Sequence, residues 1–136
     1  MYITKYTDYS LRTLMLLAQQ AGDQRLSIVE ISKTLRVSHN HLMKVVNNLA
    51  RLELVDSLRG RGGGIRLVPR TRQMTIGAVM RELEPVEPLV DCDAGPCPFR
   101  GGCELDFALQ RAMHAFLAEL DKKTLSDLVR DKIVDV

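Results

Sequence analysis

Two short stretches with helical spacing, each preceded by a serine, constrain the fold of this 136-residue chain more than any other feature. Ser27 and Glu30 form a predicted capping box, because each side chain can bond to a backbone amide that the helix start leaves unsatisfied. Arg36 and Val37 make the predicted turn, and Ser38 is a suitable N-cap for the second helix. One face of that helix carries the apolar residues Leu42, Val45, Val46, Leu49 and Leu52. This arrangement predicts a helix-turn-helix.

The flanking segments extend the pattern into a winged helix-turn-helix. A first helix is predicted over about residues 8–21, ending at Gly22. Two predicted strands, 54–58 and 65–68, flank Arg-Gly-Arg-Gly-Gly-Gly at 59–64, which indicates a hairpin with a glycine-rich tip. No G-x-x-x-x-G-K-[ST] sequence is present, so the glycines are not a nucleotide phosphate loop. We predict a mainly α-helical fold whose residues 1–74 form a winged helix-turn-helix domain with a small β-hairpin wing.

The second helix of the pair presents a polar face that contains no acidic residue. At about 100° per residue, this face opposes the apolar stripe. Residues 33–72 carry nine basic and two acidic side chains, a net charge of +7 in a chain whose total is +2. Charge alone also fits a solvated surface, but a solvated helix normally mixes acids with bases. Lysine and arginine attract phosphates, and asparagine and lysine can bond to base edges. We therefore predict DNA contacts from Ser38, Asn40, His41, Lys44, Asn47, Arg51, Arg59 and Arg61.

The C-terminal half, residues 75–136, is predicted to serve dimerisation and metal binding. Thr75 caps a predicted helix that runs to about residue 84, and Pro85 and Pro88 end it. A longer helix over 104–120 carries an apolar stripe too wide for a small winged-helix domain to cover, which favours a dimer interface. Thr124 caps a predicted last helix. The loop between the first two of these helices, residues 86–103, contains every cysteine of the chain.

Those cysteines follow a C-x4-C-x5-C pattern in a segment rich in glycine and proline. Cys92, Cys97 and Cys103 can converge on one point from such a loop, whereas structural core cysteines are usually scattered through apolar segments. Three ligands are one fewer than zinc or an iron–sulfur cluster usually takes, so a fourth must come from elsewhere. The spacing leaves zinc and iron–sulfur open, although the paired C-x2-C of many zinc sites is missing.

Several classes of protein do not fit this sequence. An odd number of cysteines argues against a disulfide scaffold. The chain has no N-terminal signal sequence and no apolar run of about 18 residues, so we expect a cytoplasmic protein that does not span a membrane. The sequence offers no Ser-His-Asp or Cys-His arrangement that would indicate an enzyme.

Taken together, five segments resemble the NsrR family of bacterial nitric-oxide-sensing repressors, which is related to the iron–sulfur regulator IscR. They are residues 4–12, the start of the second helix-turn-helix element at 38–42, the wing at 59–67, the helix segment 79–84 and the three-cysteine loop. The resemblance covers nearly the whole chain and includes residues 116–121 and 124–129.

This resemblance implies a homodimeric transcription repressor. Each cysteine triplet would bind an iron–sulfur cluster, typically 4Fe-4S, whose nitrosylation releases a palindromic DNA operator. IscR-like members place a histidine three residues after the third cysteine, where this chain has Asp106. NsrR-like members instead use an aspartate donated by the other subunit, and the matching position is Asp8. Other carboxylates stay open as ligands: Asp91, Asp93, Glu104 and Asp106. Structural zinc, or a redox signal other than nitric oxide, is the alternative.

Overall fold

A computed structural model describes residues 3–85 and 87–130. The helices are α1 Lys5–Ala18, α2 Ile28–Leu35, α3 His39–Arg51, α4 Ile76–Leu83, α5 Glu104–Leu120 and α6 Leu125–Val129. The strands β1 Val55–Leu58 and β2 Gly64–Leu67 pair antiparallel, and a 3-10 helix spans Pro69–Gln73. The mainly helical winged-helix prediction is confirmed. Parts of both predicted domains and the first position of the predicted cysteine loop, namely residues 1–2, 86 and 131–136, lie outside the described residues.

Helix α1 begins and ends three residues earlier than predicted. The Thr4 hydroxyl accepts a hydrogen bond from the Thr7 N–H at 3.2 Å, so Thr4 is the N-cap and the helix starts at Lys5. At the other end, Arg72 donates to the carbonyls of Ala18 and Gln20 at 2.7 and 3.0 Å. Terminal carbonyls of a helix need such partners. A residue more than fifty positions away therefore completes the end of α1, which local sequence could not reveal.

The helix-turn-helix forms as the capping signals predict. The Ser27 hydroxyl accepts from the Glu30 N–H at 3.1 Å, and the Glu30 carboxylate accepts from the Ser27 N–H at 2.7 Å. The Ser38 hydroxyl accepts from the His41 N–H at 3.2 Å and caps α3. Between the helices, Arg36 adopts a left-handed conformation with φ 55°. This residue turns the chain so that α2 and α3 pack against each other.

One hydrophobic core joins the helix-turn-helix, the wing and the C-terminal helices. Its fully buried members include Leu14 of α1, Ile31 of α2, Leu42 of α3 and Ile65 of β2. Leu125 of α6 is equally buried, and α6 packs against α1. The two predicted regions therefore share a core, because α6 returns to the winged-helix domain.

Helix α5 contacts α4 near its C-terminal end, and its N-terminal part lies away from this core. Only Leu117 is buried among the residues of α5, whereas Leu105 and Phe116 are 62% and 40% exposed. At the joint between the helices, Arg81 forms two hydrogen bonds with Asp121, at 2.8 and 2.9 Å. The Arg81 hydrogen bond is the main reason why the pKa of Asp121 lies below its ordinary value. Within residues 3–85 and 87–130, no helix is long and apolar enough to cross a membrane.

Candidate DNA interface and cysteine loop

Helix α3 places its predicted DNA-contacting residues on an exposed face. Four apolar side chains on the opposite face are buried, namely Leu42, Val45, Val46 and Leu49. Burial of this stripe fixes the rotation of the helix, so polar residues at intervening positions must face outward. All the predicted contacts in this segment are exposed: Ser38, Asn40, His41, Lys44, Asn47 and Arg51. Their roles in DNA binding stay predictions.

Two details of α3 were not part of the sequence prediction. Arg51 donates to the Asn48 side-chain oxygen at 2.5 Å, which holds the guanidinium along the last turn of the helix. Met43 is 40% exposed on the flank of the polar face, although methionine is usually a core residue. Its position in a helical projection was the available signal.

The wing brings Arg59 and Arg61 to an exposed tip between β1 and β2. Arginine at such a tip can contact phosphates or enter a minor groove. The neighbouring Arg66 is placed differently, because it forms ion pairs with Asp56 at 3.1 Å and Asp23 at 3.2 Å.

Two further arginines of the basic segment also bond to the protein itself. Arg70 donates to the carbonyls of Leu52 and Glu53 at 3.3 and 3.2 Å, at the end of α3, and Arg72 completes the end of α1. The net charge of +7 therefore overstates the charge that this segment presents outward. Sequence counting treats these arginines alike because their carbonyl partners are distant in the chain.

The cysteine loop leads from α4 to α5 through a series of turns. Cys92 and Cys97 are exposed, while Cys103 is the N-cap residue of α5 and is partly buried. An ion pair between Asp93 and Arg100 bridges the loop. Pro98, Phe99 and Leu105 line an open pocket beside Cys103, so the third thiol has apolar neighbours.

The thiols lie near enough to influence one another electrostatically. Partial desolvation raises the pKa of the Cys92 thiol, although the residue as a whole is exposed. The negative charges of Asp106, Cys103 and Cys97 raise this pKa further. Bound iron or zinc would offset this repulsion, because both bind deprotonated thiols.

The donor chemistry fits a metal or an iron–sulfur cluster, because three thiols share one short loop. Among the residues that the structure describes, however, no group of three His, Cys, Asp or Glu side chains is arranged to hold a metal ion. The predicted ligands Cys92, Cys97, Cys103 and Asp8 thus remain a prediction about the assembled dimer.

Asp8 lies in the first turn of α1 and is partly exposed. Its carboxylate accepts from the Arg12 Nε at 2.8 Å, one turn further along the helix. The hydrogen bond from Asp8 raises the pKa of the exposed Arg12 guanidinium. An exposed pair of this kind contributes little to stability, so Asp8 can exchange it for another partner at small cost.

A contact that the sequence did not reveal joins the base of the cysteine loop to α1. The Glu84 carboxylate, directly after α4, accepts hydrogen bonds from the hydroxyls of Thr7 at 2.5 Å and Thr4 at 2.9 Å. The Thr7 bond, followed by the Thr4 bond, lowers the pKa of Glu84. The loop therefore starts next to the turn of α1 that carries Asp8, and α1 in turn packs against α3.

Comparison with known proteins identifies the family. Residues 3–131 match the Rrf2 family, described as iron-dependent transcriptional regulators. The chain belongs to the Rrf2 family. Rrf2 members are transcription regulators that bind DNA as dimers, and they are not enzymes.

Solved structures of similar chains support the same assignment. CymR of B. subtilis, described as the global cysteine regulator, is 28% identical over 97% of this chain and 98% of its own, with a TM-score of 0.73. The oxidized form of Staphylococcus aureus CymR is 27% identical over 100% of both chains, with a TM-score of 0.75.

IscR from T. potens is 21% identical over 100% of this chain and 92% of its own, with a TM-score of 0.79, and shows the shared fold alone. The sequence similarity thus extends to CymR, while IscR shares the fold. It does not single out NsrR.

Proposed function

We propose that this Rrf2 protein is a homodimeric, cytoplasmic repressor that senses nitric oxide through an iron–sulfur cluster of the 4Fe-4S type. The observation that carries the proposal is the cysteine triplet, Cys92, Cys97 and Cys103, on one loop directly before α5. Thiolates are the usual protein ligands of iron–sulfur clusters. The family description as iron-dependent regulators and the NsrR resemblance support iron over zinc.

In this proposal the fourth ligand is Asp8 of the partner subunit. We propose that residues 1–74 form the DNA-binding domain and that residues 75–136 bind the cluster and the partner subunit. A bound cluster supplies iron that reacts with nitric oxide. Because α1 packs against α3, a tie between α1 and the partner's cysteine loop would restrain the spacing of the two α3 helices. Loss of that tie lowers affinity for a palindromic operator, whose half-sites require a set spacing.

The DNA contacts in the proposal divide between two elements. Asn40, Lys44 and Asn47 of α3 face base edges, with Ser38 and His41 at the start of the helix and Arg51 towards a phosphate. Arg59 and Arg61 of the wing contact the backbone or the minor groove. The absence of acidic residues from the outer face of α3 supports this assignment.

The deciding experiment is the visible spectrum of anaerobically prepared protein before and after nitric oxide, with operator binding measured in the same samples. The probe is a duplex that the protein selects from random-sequence DNA. We expect a coloured protein whose spectrum changes with nitric oxide while its operator affinity falls. A colourless protein with stoichiometric zinc, binding equally with and without nitric oxide, would contradict the proposal.

The role of Asp8 is tested by Asp8→Ala, with Asp106→Ala as the matched change of a carboxylate near the cysteines. We expect Asp8→Ala to alter the cluster spectrum and weaken the response to nitric oxide, while Asp106→Ala leaves both close to wild type. Unchanged spectra and response in Asp8→Ala would remove Asp8 from the ligand set.

A second candidate function follows from the similarity to CymR. CymR of B. subtilis is described as a cysteine regulator, and an oxidized form of the S. aureus protein has a solved structure. In that case this chain would respond to thiol or redox state rather than to nitric oxide. Operator affinity that changes with thiol oxidation, in protein without iron, would favour this second candidate.

A further inference from the structure

The wing is held by a segment that precedes the helix-turn-helix. Leu26 forms an antiparallel bridge with Ile65 of β2, in which the Leu26 N–H donates at 3.0 Å and the Ile65 N–H donates at 2.7 Å. The link between α1 and α2 therefore lies beside β2 and pairs with it at this one residue. A two-stranded hairpin is marginally stable alone, so this support matters for the wing.

Arg25, next to Leu26, bonds to both strands of the wing. Its Nη1 donates to the carbonyl of Asp56 in β1 at 3.1 Å and to that of Gly64 in β2 at 3.0 Å. Its Nη2 donates to the Asp56 carboxylate at 3.0 Å. Only 13% of the Arg25 side chain is exposed, so the guanidinium is committed to these contacts.

Arg66, within β2, is a second arginine that binds Asp56. It pairs in register with Asp56 and donates to that carboxylate at 3.1 Å, so Asp56 binds Arg25 and Arg66 together. Charge-assisted bonds of this kind are stronger than neutral ones. Arg25, Arg66 and the Asp56 carboxylate therefore hold β1 and β2 close to their last paired residues before the tip, Leu58 and Gly64.

Gly64 permits this close approach. A Cβ at this position would lie 2.8 Å from the Leu26 carbonyl oxygen and 3.1 Å from the Arg25 Cβ, and its φ of 125° also favours glycine. This glycine of the wing sequence thus allows the Arg25–Leu26 segment to pack against β2.

We infer that Arg25 is a positioning residue that orients the wing for DNA without contacting DNA itself. The inference rests on the proposed DNA-binding role of the wing. The tip arginines, Arg59 and Arg61, lie on the loop that connects the two fastened strands. Release of Arg25 frees the tip, so the wing no longer holds the phosphates in place although both tip arginines remain.

The test is a double-mutant cycle in the full chain, prepared anaerobically, with the duplex selected by wild-type protein as the probe. Arg25→Ala is combined with Arg59→Ala/Arg61→Ala, and affinity is measured across a range of salt concentrations. We expect Arg25→Ala to weaken binding about tenfold and to reduce the salt slope by about 0.9 for each phosphate that the wing no longer neutralises. In the wing-tip background, Arg25→Ala should have little further effect.

Arg72→Ala is the matched control, because Arg72 also donates to two backbone carbonyls but lies outside the wing. It should lower stability and leave the salt slope and the wing-tip effect unchanged. Arg25→Lys, which keeps one charge and most of the apolar stem, serves if Arg25→Ala does not fold, and the same lack of additivity is expected. Additive effects of the Arg25 and wing-tip substitutions would overturn this inference but leave the proposed role of the wing intact. If Arg59→Ala/Arg61→Ala did not weaken binding, the proposed role of the wing would fail and the inference with it.

Discussion

Arg36 closes the turn between α2 and α3 in a left-handed backbone conformation, which is unfavourable for a residue with a Cβ. Its φ is 55°, and its N–H donates to the Ser32 carbonyl at the end of α2. The Val37 N–H bonds to the same carbonyl at 3.2 Å, and the Ser32 hydroxyl donates to the Val37 carbonyl at 2.7 Å. Glycine is the usual residue at this position of a helix end. The turn is therefore imposed by its neighbours and by burial of Val37.

This conformation predicts that Arg36→Gly stabilises the protein. Glycine removes the left-handed penalty and keeps the backbone bonds to Ser32, so the free energy of unfolding should rise by about 1 kcal/mol. Arg36→Ala is the control, since alanine retains the Cβ that causes the penalty. Urea unfolding measures both variants, and an equal gain from alanine would contradict the explanation.

At the scale of elements, the joint between α4 and α5 depends on the absence of a side chain. A Cβ on Gly77 would lie 2.0 Å from an Asp121 carboxylate oxygen and 2.8 Å from the Leu117 carbonyl oxygen. Asp121 is held there by Arg81 and by the Thr75 hydroxyl at 3.0 Å. The helices can approach this closely only with glycine at position 77.

We expect Gly77→Ala to lower the free energy of unfolding by about 2 kcal/mol, because overfilling a packed contact costs roughly 1–3 kcal/mol. The sign is informative, since alanine normally stabilises a helix relative to glycine. Gly95→Ala is the control, because nothing lies within 4 Å of a Cβ at that position. Denaturant unfolding of both variants gives the comparison, and stabilisation by Gly77→Ala would show that α5 can move away freely.

For the whole molecule, we expect the exposed side of α5 to form the dimer interface, because Rrf2 regulators are dimeric. Leu105, Ala112 and Phe116 recur at spacings of seven and four and share one face, whereas Leu117 on an adjacent face packs on α4. Exposed apolar surface of this kind marks interaction sites in soluble proteins. Phe107 is also exposed but lies nine residues from Phe116, on the opposite side of the helix at about 100° per residue.

Phe116→Glu should therefore convert the protein to monomers at concentrations where the wild type is dimeric. A charge buried at the centre of an apolar interface is strongly unfavourable. Phe107→Glu is the matched control and should leave the dimer intact. Sedimentation velocity distinguishes the two, with circular dichroism as a check on folding. Dissociation by Phe107→Glu alone would place the interface on the other face.

Elements governed by near neighbours were predictable from the sequence. The capped starts of α2, α3, α4 and α6 agree with Ser27, Ser38, Thr75 and Thr124, because a cap acts within three residues. The predicted range of α5 agrees with the structure, and periodicity located the exposed face of α3. The 3-10 helix was missed, and so was the first residue of α1, although Thr4 caps α1 in the same local way.

The sequence by itself determined the winged helix-turn-helix and the presence of a three-thiol loop, because caps, periodicity and cysteine spacing act over short distances along the chain. Only the tertiary structure decided which arginines of the basic segment face outward. Arg66 pairs with Asp56 and Asp23, while Arg70 and Arg72 bond to carbonyls at helix ends. The packing also placed Glu84 against Thr7, and so the cysteine loop beside α1. These contacts join residues up to 77 positions apart, and no local pattern of residues specifies a partner at that distance.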